Sequence, residues 1–180
     1  MAMENLLGSL LIANGNLMDP NFRRTVIVVT EHSEDGAMGL VLNRPATVTV
    51  EEAAPALTGL VPAGSPIYVG GPVQPEAAIV LADLATFDVE SKIVIGTIGM
   101  LAGFDGLANG IKRARVFAGY AGWGPGQLES EAEEDAWIIE DALPADIFTD
   151  EPERLWSRVL QRMGGEYRLL ALMPLDPSTN

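Results

Sequence analysis

Apolar residues along this chain fall in short runs separated by turn chemistry. Thr25–Val26–Ile27–Val28–Val29–Thr30 is β-branched at every apolar position and shows no clean alternation. Such a run predicts a strand buried on both faces. Glu34–Asp35–Gly36 is turn chemistry, and Ala37 to Leu42 returns as a second strand. The pair reads as a hairpin with Glu31, His32 and Ser33 at its mouth. Leu6–Ala13, Ile67–Val69, Ala77–Leu81, Val116–Tyr120, Trp137–Ile139 and Tyr167–Met173 are further strand candidates, as is Ile93–Ile98, which Gly96 interrupts.

Helical spacing is confined to a few places. Thr49-x-x-Glu52 has the form of a capping box and opens a short helix to about Leu57, limited by Pro55. A second helix is predicted from Leu128 to about Asp135. Pro152 to Met163 is the clearest, because Leu155, Trp156, Val159, Leu160 and Met163 keep helical spacing. Asp150-x-x-Glu153 would cap it, and Gly164–Gly165 stops it. Asp105 to Gly110 has room for one helical turn. About eight or nine short strands and about three helices, out of regular βαβ order, predict an α+β fold. The sheet is expected to be curved and mainly antiparallel or mixed, in a single domain over residues 1–180.

The stretch Phe117 to Glu129, FAGYAGWGPGQLE, places a glycine-rich loop between a strand and a helix start. Glu129 falls in the first helical turn, where an acid suits the dipole. Free backbone N–H groups in such a loop can hold an anion. The spacing is neither G-x-G-x-x-G nor a phosphate loop ending in G-K-[ST]. The alternative is a tight corner with Tyr120 and Trp123 packed beneath it. A shorter relative of this stretch stands upstream at Gly70–Gly71–Pro72–Val73.

Composition narrows the function classes. The chain has 180 residues, 48% of them hydrophobic, and no cysteine, which removes disulfides and thiolate chemistry. No apolar run reaches the ~18–20 residues of a membrane helix. The run from Leu6 has no basic flank and no small-residue cleavage site, so it reads as a strand and not a signal peptide. A cytoplasmic location is the expectation. The net charge of -14 opposes direct nucleic-acid binding, which depends on Lys and Arg neutralising phosphates. Arg154, Arg158 and Arg162 share one helix face at i, i+4, i+8, where pairing with Glu151 and Glu153 makes an ordinary solvated stripe.

Candidate chemistry centres on His32, the single histidine. Flanked by Glu31 and Ser33, it has the ingredients of a general base. Neighbours in a strand point to opposite faces, however, so Glu31 and His32 need not touch. Arg44, next to Asn43, could fork a carboxylate or phosphate, or bridge Glu31 or a loop carbonyl. Glu131, Glu133, Glu134 and Asp135 lack the loop spacing of a Mg²⁺ or Ca²⁺ site, and one histidine without cysteine does not make a structural zinc site. No metal or cofactor is expected.

Taken together, GSLLIAN, MDPNF, TVIVVTEHSEDGAMGLVLNRP, IYVGGPV and GYAGWGPGQLE resemble the YqgE/AlgH family. The blocks keep the family's order from Leu6 to about Pro174. The resemblance implies an α+β fold in a group of bacterial cytoplasmic proteins without an assigned catalytic residue. One branch is named for an association with transcriptional control of alginate production. Two positions depart from many members. Ala13–Asn14–Gly15 stands where they carry Met-Pro, and Leu81–Ala82 stands where they carry Leu-His. The expected function is a non-enzymatic binding or regulatory module acting through a protein partner or a small anionic ligand. Its candidate contact residues are Glu31, His32, Asn43, Arg44, Gly70, Gly71, Tyr120, Trp123, Gln127 and Glu129. The alternatives are a DNA-binding regulator, or an enzyme using Glu31, His32 and Arg44.

Overall fold

The computed structural model describes residues 4–104 and 109–174. Among these are β1 (Ser9–Ala13), β2 (Val26–Ser33), β3 (Gly36–Val41), β4 (Pro45–Thr49), β5 (Pro66–Val69) and β6 (Val73–Leu84). They continue with β7 (Ser91–Ile95), β8 (Ile98–Leu101), β9 (Ile111–Trp123) and β10 (Trp137–Asp141). The helices are short: α1 (Val50–Ala53), α2 (Gln127–Glu133), α3 (Pro144–Ile147), α4 (Leu155–Met163) and α5 (Glu166–Ala171). The main sheet path runs β10-β1-β2-β3-β9-β6-β8-β7, and β4 joins through β5, which pairs with β9. Every pairing is antiparallel except β5 with β9. This is the predicted α+β class with a curved, unclosed sheet.

The curvature encloses the main core. Leu10, Val28, Leu40, Leu81, Val94, Phe117 and Ile138, drawn from seven strands, pack in one cluster with Ile147 of α3 and Trp156, Val159 and Leu160 of α4. The Trp156 indole N–H donates to Ala13 O at 2.9 Å, which fixes α4 against β1. A second cluster on the other face joins Leu6, Leu11, Ile27, Val29, Trp123 and Trp137 to Leu128 of α2. Residues Val26 to Val29 therefore serve two cores, and all four are fully buried. This explains why β2 has no polar alternation.

β9 is the hub. Its N-terminal half pairs with β6 and β5, and its last residues, Ala121 to Trp123, pair with β3. Gly119 breaks the strand between these halves with φ +72°. At the same place the Gly70–Gly71 segment crosses β9. A Cβ on Gly71 would lie 2.1 Å from the Tyr120 carbonyl carbon, and one on Gly70 would lie 2.3 Å from Gly119 O. Two backbones meet here with no room for a side chain. The predicted glycine loop is thus mostly strand, and only Gly124 to Gly126 lie between β9 and α2.

Other elements differ from expectation for local reasons. Ile93–Ile98 is two strands, because Gly96 at φ +52° turns β7 into β8. Tyr167–Met173 is not a strand but α5, with Tyr167 and Leu170 packed against the core and Leu169 and Leu172 facing solvent. Pro152–Arg154 is a 3-10 turn, and no side chain of Asp150 or Glu153 caps α4. Thr49 and Glu52 do form the reciprocal capping box of α1. The turn expected at Asp105 to Gly110 falls mostly outside the described residues. No helix among the described residues is long and apolar enough to cross a membrane.

Candidate functional site

The histidine at the hairpin mouth has both ring nitrogens engaged. Leu6 N–H donates to His32 Nδ1 at 2.9 Å, so the ring proton sits on Nε2. Nε2 lies 2.6 Å from Glu129 Oε1 in the first turn of α2. That hydrogen bond from His32 is the main cause holding the Glu129 carboxyl below its ordinary value. The His32 side chain is 6% exposed. Glu31 points the other way, to Lys92 of β7 at 2.9 Å. The alternation expected of a strand is realised, although a bulge between Val29 and Glu31 shifts the register with β3.

Beside His32 lies a carboxylate that ties the aromatic motif together. Glu131 Oε2 accepts the indole N–H of Trp123 at 2.8 Å and that of Trp137 at 2.9 Å. Gln127 Nε2 donates to the other oxygen at 3.3 Å, and its own carbonyl caps Gly124 N–H at 3.0 Å. The two indoles pack edge to face with centroids 6.2 Å apart. Glu131 is therefore a structural acceptor in this fold. Tyr120, one residue past the crossing, is half-buried against the main core.

Asn43 and Arg44 hold the loop before β2. Arg44 donates to Asn21 O at 2.7 Å and to Arg23 O at 3.0 Å. Asn43 accepts from Val26 N–H and donates to Arg24 O, at 3.0 and 2.8 Å. Burial is the main cause lowering the Arg44 pKa. Of the two pairings weighed for Arg44, the loop carbonyls are the ones present. The enzyme constellation of Glu31, His32 and Arg44 is not assembled, because each binds a different partner.

Open space at this end of the molecule is a cleft of about 350 Å³ lined by Leu7, Thr30, Glu31, His32, Met38, Lys92 and Trp123, among others. Of the candidate residues, it brings together Glu31, His32 and Trp123. Glu129 and Gln127 stand behind it in the bonds described above. Arg44 and Gly71, with the adjoining Asn43 and Gly70, belong to a separate corner around Asn21 and Pro72, at the opposite end of the β2–β3 hairpin from His32. Glu131, Lys92 and Leu6 also take part, and no local pattern points to Lys92 or Leu6. Glu131 sits eight residues after Trp123, at helical distance from Gln127, and that spacing was the one available signal. The arginine stripe of α4 is paired, Arg154 and Arg158 with Glu151 and Arg162 with Asp146. Asp146 takes the place predicted for Glu153.

The blocks that meet in this network are those of a known family. The AlgH-like family model matches residues 10–168. A UPF0301 protein of Mycobacteroides abscessus is 43% identical, aligning over 96% of this chain and 87% of its own length. A UPF0301 protein of Streptomyces avermitilis is 41% identical over 99% of this chain and 97% of its own. The crystal structure of a Corynebacterium diphtheriae protein superposes with a TM-score of 0.85 at 26% identity, covering 96% of this chain and 95% of that one. The solution structure of AlgH from Pseudomonas aeruginosa has a TM-score of 0.75 at 34% identity and covers 98% of each chain. With the match running from β1 into α5 and these relatives aligned along most of their length, the chain belongs to the AlgH-like family.

Proposed function

We propose that this chain is a non-enzymatic binding module that acts through a protein partner. One observation carries the reading: the side chains equipped for acid–base or anion chemistry are already bonded within the fold, including those that line the cleft. His32 has both ring nitrogens engaged, Arg44 is committed to two loop carbonyls, and Lys92 is paired with Glu31. A general base needs an atom within reach of its substrate. An anion site in the cleft needs a cation whose charge is not already matched, and Lys92 there is paired with Glu31. A protein partner requires neither and suits the recognition of surface shape and backbone. The net charge of -14 disfavours the DNA-binding alternative on the same electrostatic grounds as before.

Two measurements test this. A thermal-shift screen against nucleotides, sugar phosphates, carboxylates and divalent cations is expected to leave Tm unchanged. The immobilised protein is expected to retain a defined protein that the free chain competes away. A small ligand at ~100-fold its Kd would add about 2.7 kcal/mol to stability. A shift of that size, lost in His32→Gln and Arg44→Ala, overturns the reading. So does turnover of any screened compound that disappears in a folded His32→Gln variant.

A further inference from the structure

The bonded network does not use the β10 edge of the sheet. β10 is an end strand, with β1 on one side and no strand on the other among the described residues. The ladder decides which backbone groups face outward. Asn14 N–H donates to Ala136 O at 3.0 Å, and the register pairs Ile12 with Ile138 and Leu10 with Glu140. Backbone groups alternate sides along an antiparallel strand. Those of Ile138 and Glu140 therefore turn to β1, and those of Trp137, Ile139 and Asp141 turn away. The Asp141 N–H is taken by the Glu140 carboxylate at 3.0 Å. At Ile139 the outward N–H and C=O remain, beside a side chain that is 37% exposed.

Along this edge lies a cleft of about 490 Å³ between β10 and α5. Trp137, Ile138, Tyr167 and Leu170 give it apolar walls, and Asp135 and Glu166 line it with negative charge. A strand edge facing a helix across a groove of mixed apolar and acidic lining is a geometry in which an extended peptide adds to a sheet. Main-chain bonds then give affinity, and alternate side chains give specificity.

We propose that an extended basic segment of a partner protein adds to β10 as a further strand and lies in the β10–α5 cleft. This deepens the binding-module reading and rests on it. Charge selects the occupant. Asp135, Glu140, Asp141 and Glu166 stand around the edge of a chain whose net charge is -14. A second copy pairing β10 with β10 about Ile139 would bring two sets of these acids together, and like charges across a ladder repel. Lys or Arg side chains of a foreign strand meet those acids, and its apolar side chains reach Tyr167 and Leu170.

The test uses the full chain and a short peptide of alternating lysine and valine, with glutamate in place of lysine as the control. The lysine peptide is expected to bind, with affinity falling as salt rises. It is also expected to slow hydrogen exchange at the Ile139 amide. Ile139→Pro removes the outward donor without touching a bond to β1, a position where an edge strand tolerates proline. Binding is expected to be lost in that variant and to weaken about tenfold in Glu166→Lys. Glu166 is exposed on α5, so this second variant decides the matter if Ile139→Pro fails to fold. No binding of the lysine peptide, equal binding of the glutamate peptide, or unchanged binding in both variants overturns the proposal. So does a dimer formed through β10. A partner still retained by folded Ile139→Pro protein removes this surface and leaves the binding-module reading intact. Turnover lost in His32→Gln removes that reading itself.

Discussion

Glu131 illustrates how much of this fold depends on single polar side chains. One carboxylate oxygen accepts from two buried indoles that lie on different strands. Glu131→Ala leaves both donors without a partner, and an unsatisfied buried donor costs about 1–3 kcal/mol. A loss of about 2–4 kcal/mol in urea unfolding is expected, with Glu131→Gln much milder because it keeps an acceptor. The His32–Glu129 pair predicts a pH effect with a definite sign. The folded Glu129 carboxyl is depressed below its ordinary value of 4.5, chiefly by the His32 hydrogen bond. Its contribution is fully present above that value and is lost as pH falls through the lower folded one. Stability is expected to decline on acidification below about pH 4.5, and Glu129→Gln should flatten that decline, as followed by thermal unfolding between pH 3 and 6.

Among the elements, the crossing of Gly70–Gly71 over β9 is the least tolerant place. Gly71→Ala would set a methyl group against the Tyr120 carbonyl, at a backbone whose φ is +159°. A loss of about 3 kcal/mol or failure to fold is expected by denaturant titration. The α3–α4 junction is nearly as sensitive. Arg162 forks the carboxylate of Asp146 at 2.9 and 3.0 Å, while Leu143 N–H donates to the same side chain at 2.8 Å. Asp146 is 3% exposed while Arg162 reaches solvent, so Asp146→Ala loses the fork and the Leu143 N–H acceptor without burying a bare charge, at a cost of about 1–3 kcal/mol.

Elements whose signal is local could be read from the sequence. The β-branched run of β2 and the Thr49–Glu52 box each contain their own explanation. α5 could not be read this way. Tyr167 to Met173 is apolar enough for a strand, and it coils because α4 and Gly15 receive it on one side. A Cβ on Gly15 would come within 2.7 Å of Leu170, so the absence of a side chain at Gly15 helps to seat that helix. The candidate site divides along the same line. Alternation separated Glu31 from His32 correctly, but the partner of His32 lies 97 residues away, and no local spacing points to it.

At the scale of the whole molecule, two properties act together: a strongly acidic surface and a sheet assembled from distant segments. Excess negative charge opposes compaction through self-repulsion, which salt screens. Raising sodium chloride from low to moderate concentration should therefore raise Tm, and a neutral osmolarity control should not reproduce the ionic part of the rise. The position of β9 has a consequence for synthesis on the ribosome. β3, β5 and β6 all pair with this strand, which begins only at Ile111. Until it leaves the exit tunnel, the nascent chain carries three strands with unmet hydrogen-bonding edges, the state in which chains associate wrongly. A stalled chain ending at residue 104 should recruit chaperones and resist cooperative folding, and release of β9 should let both halves of the sheet close in one step.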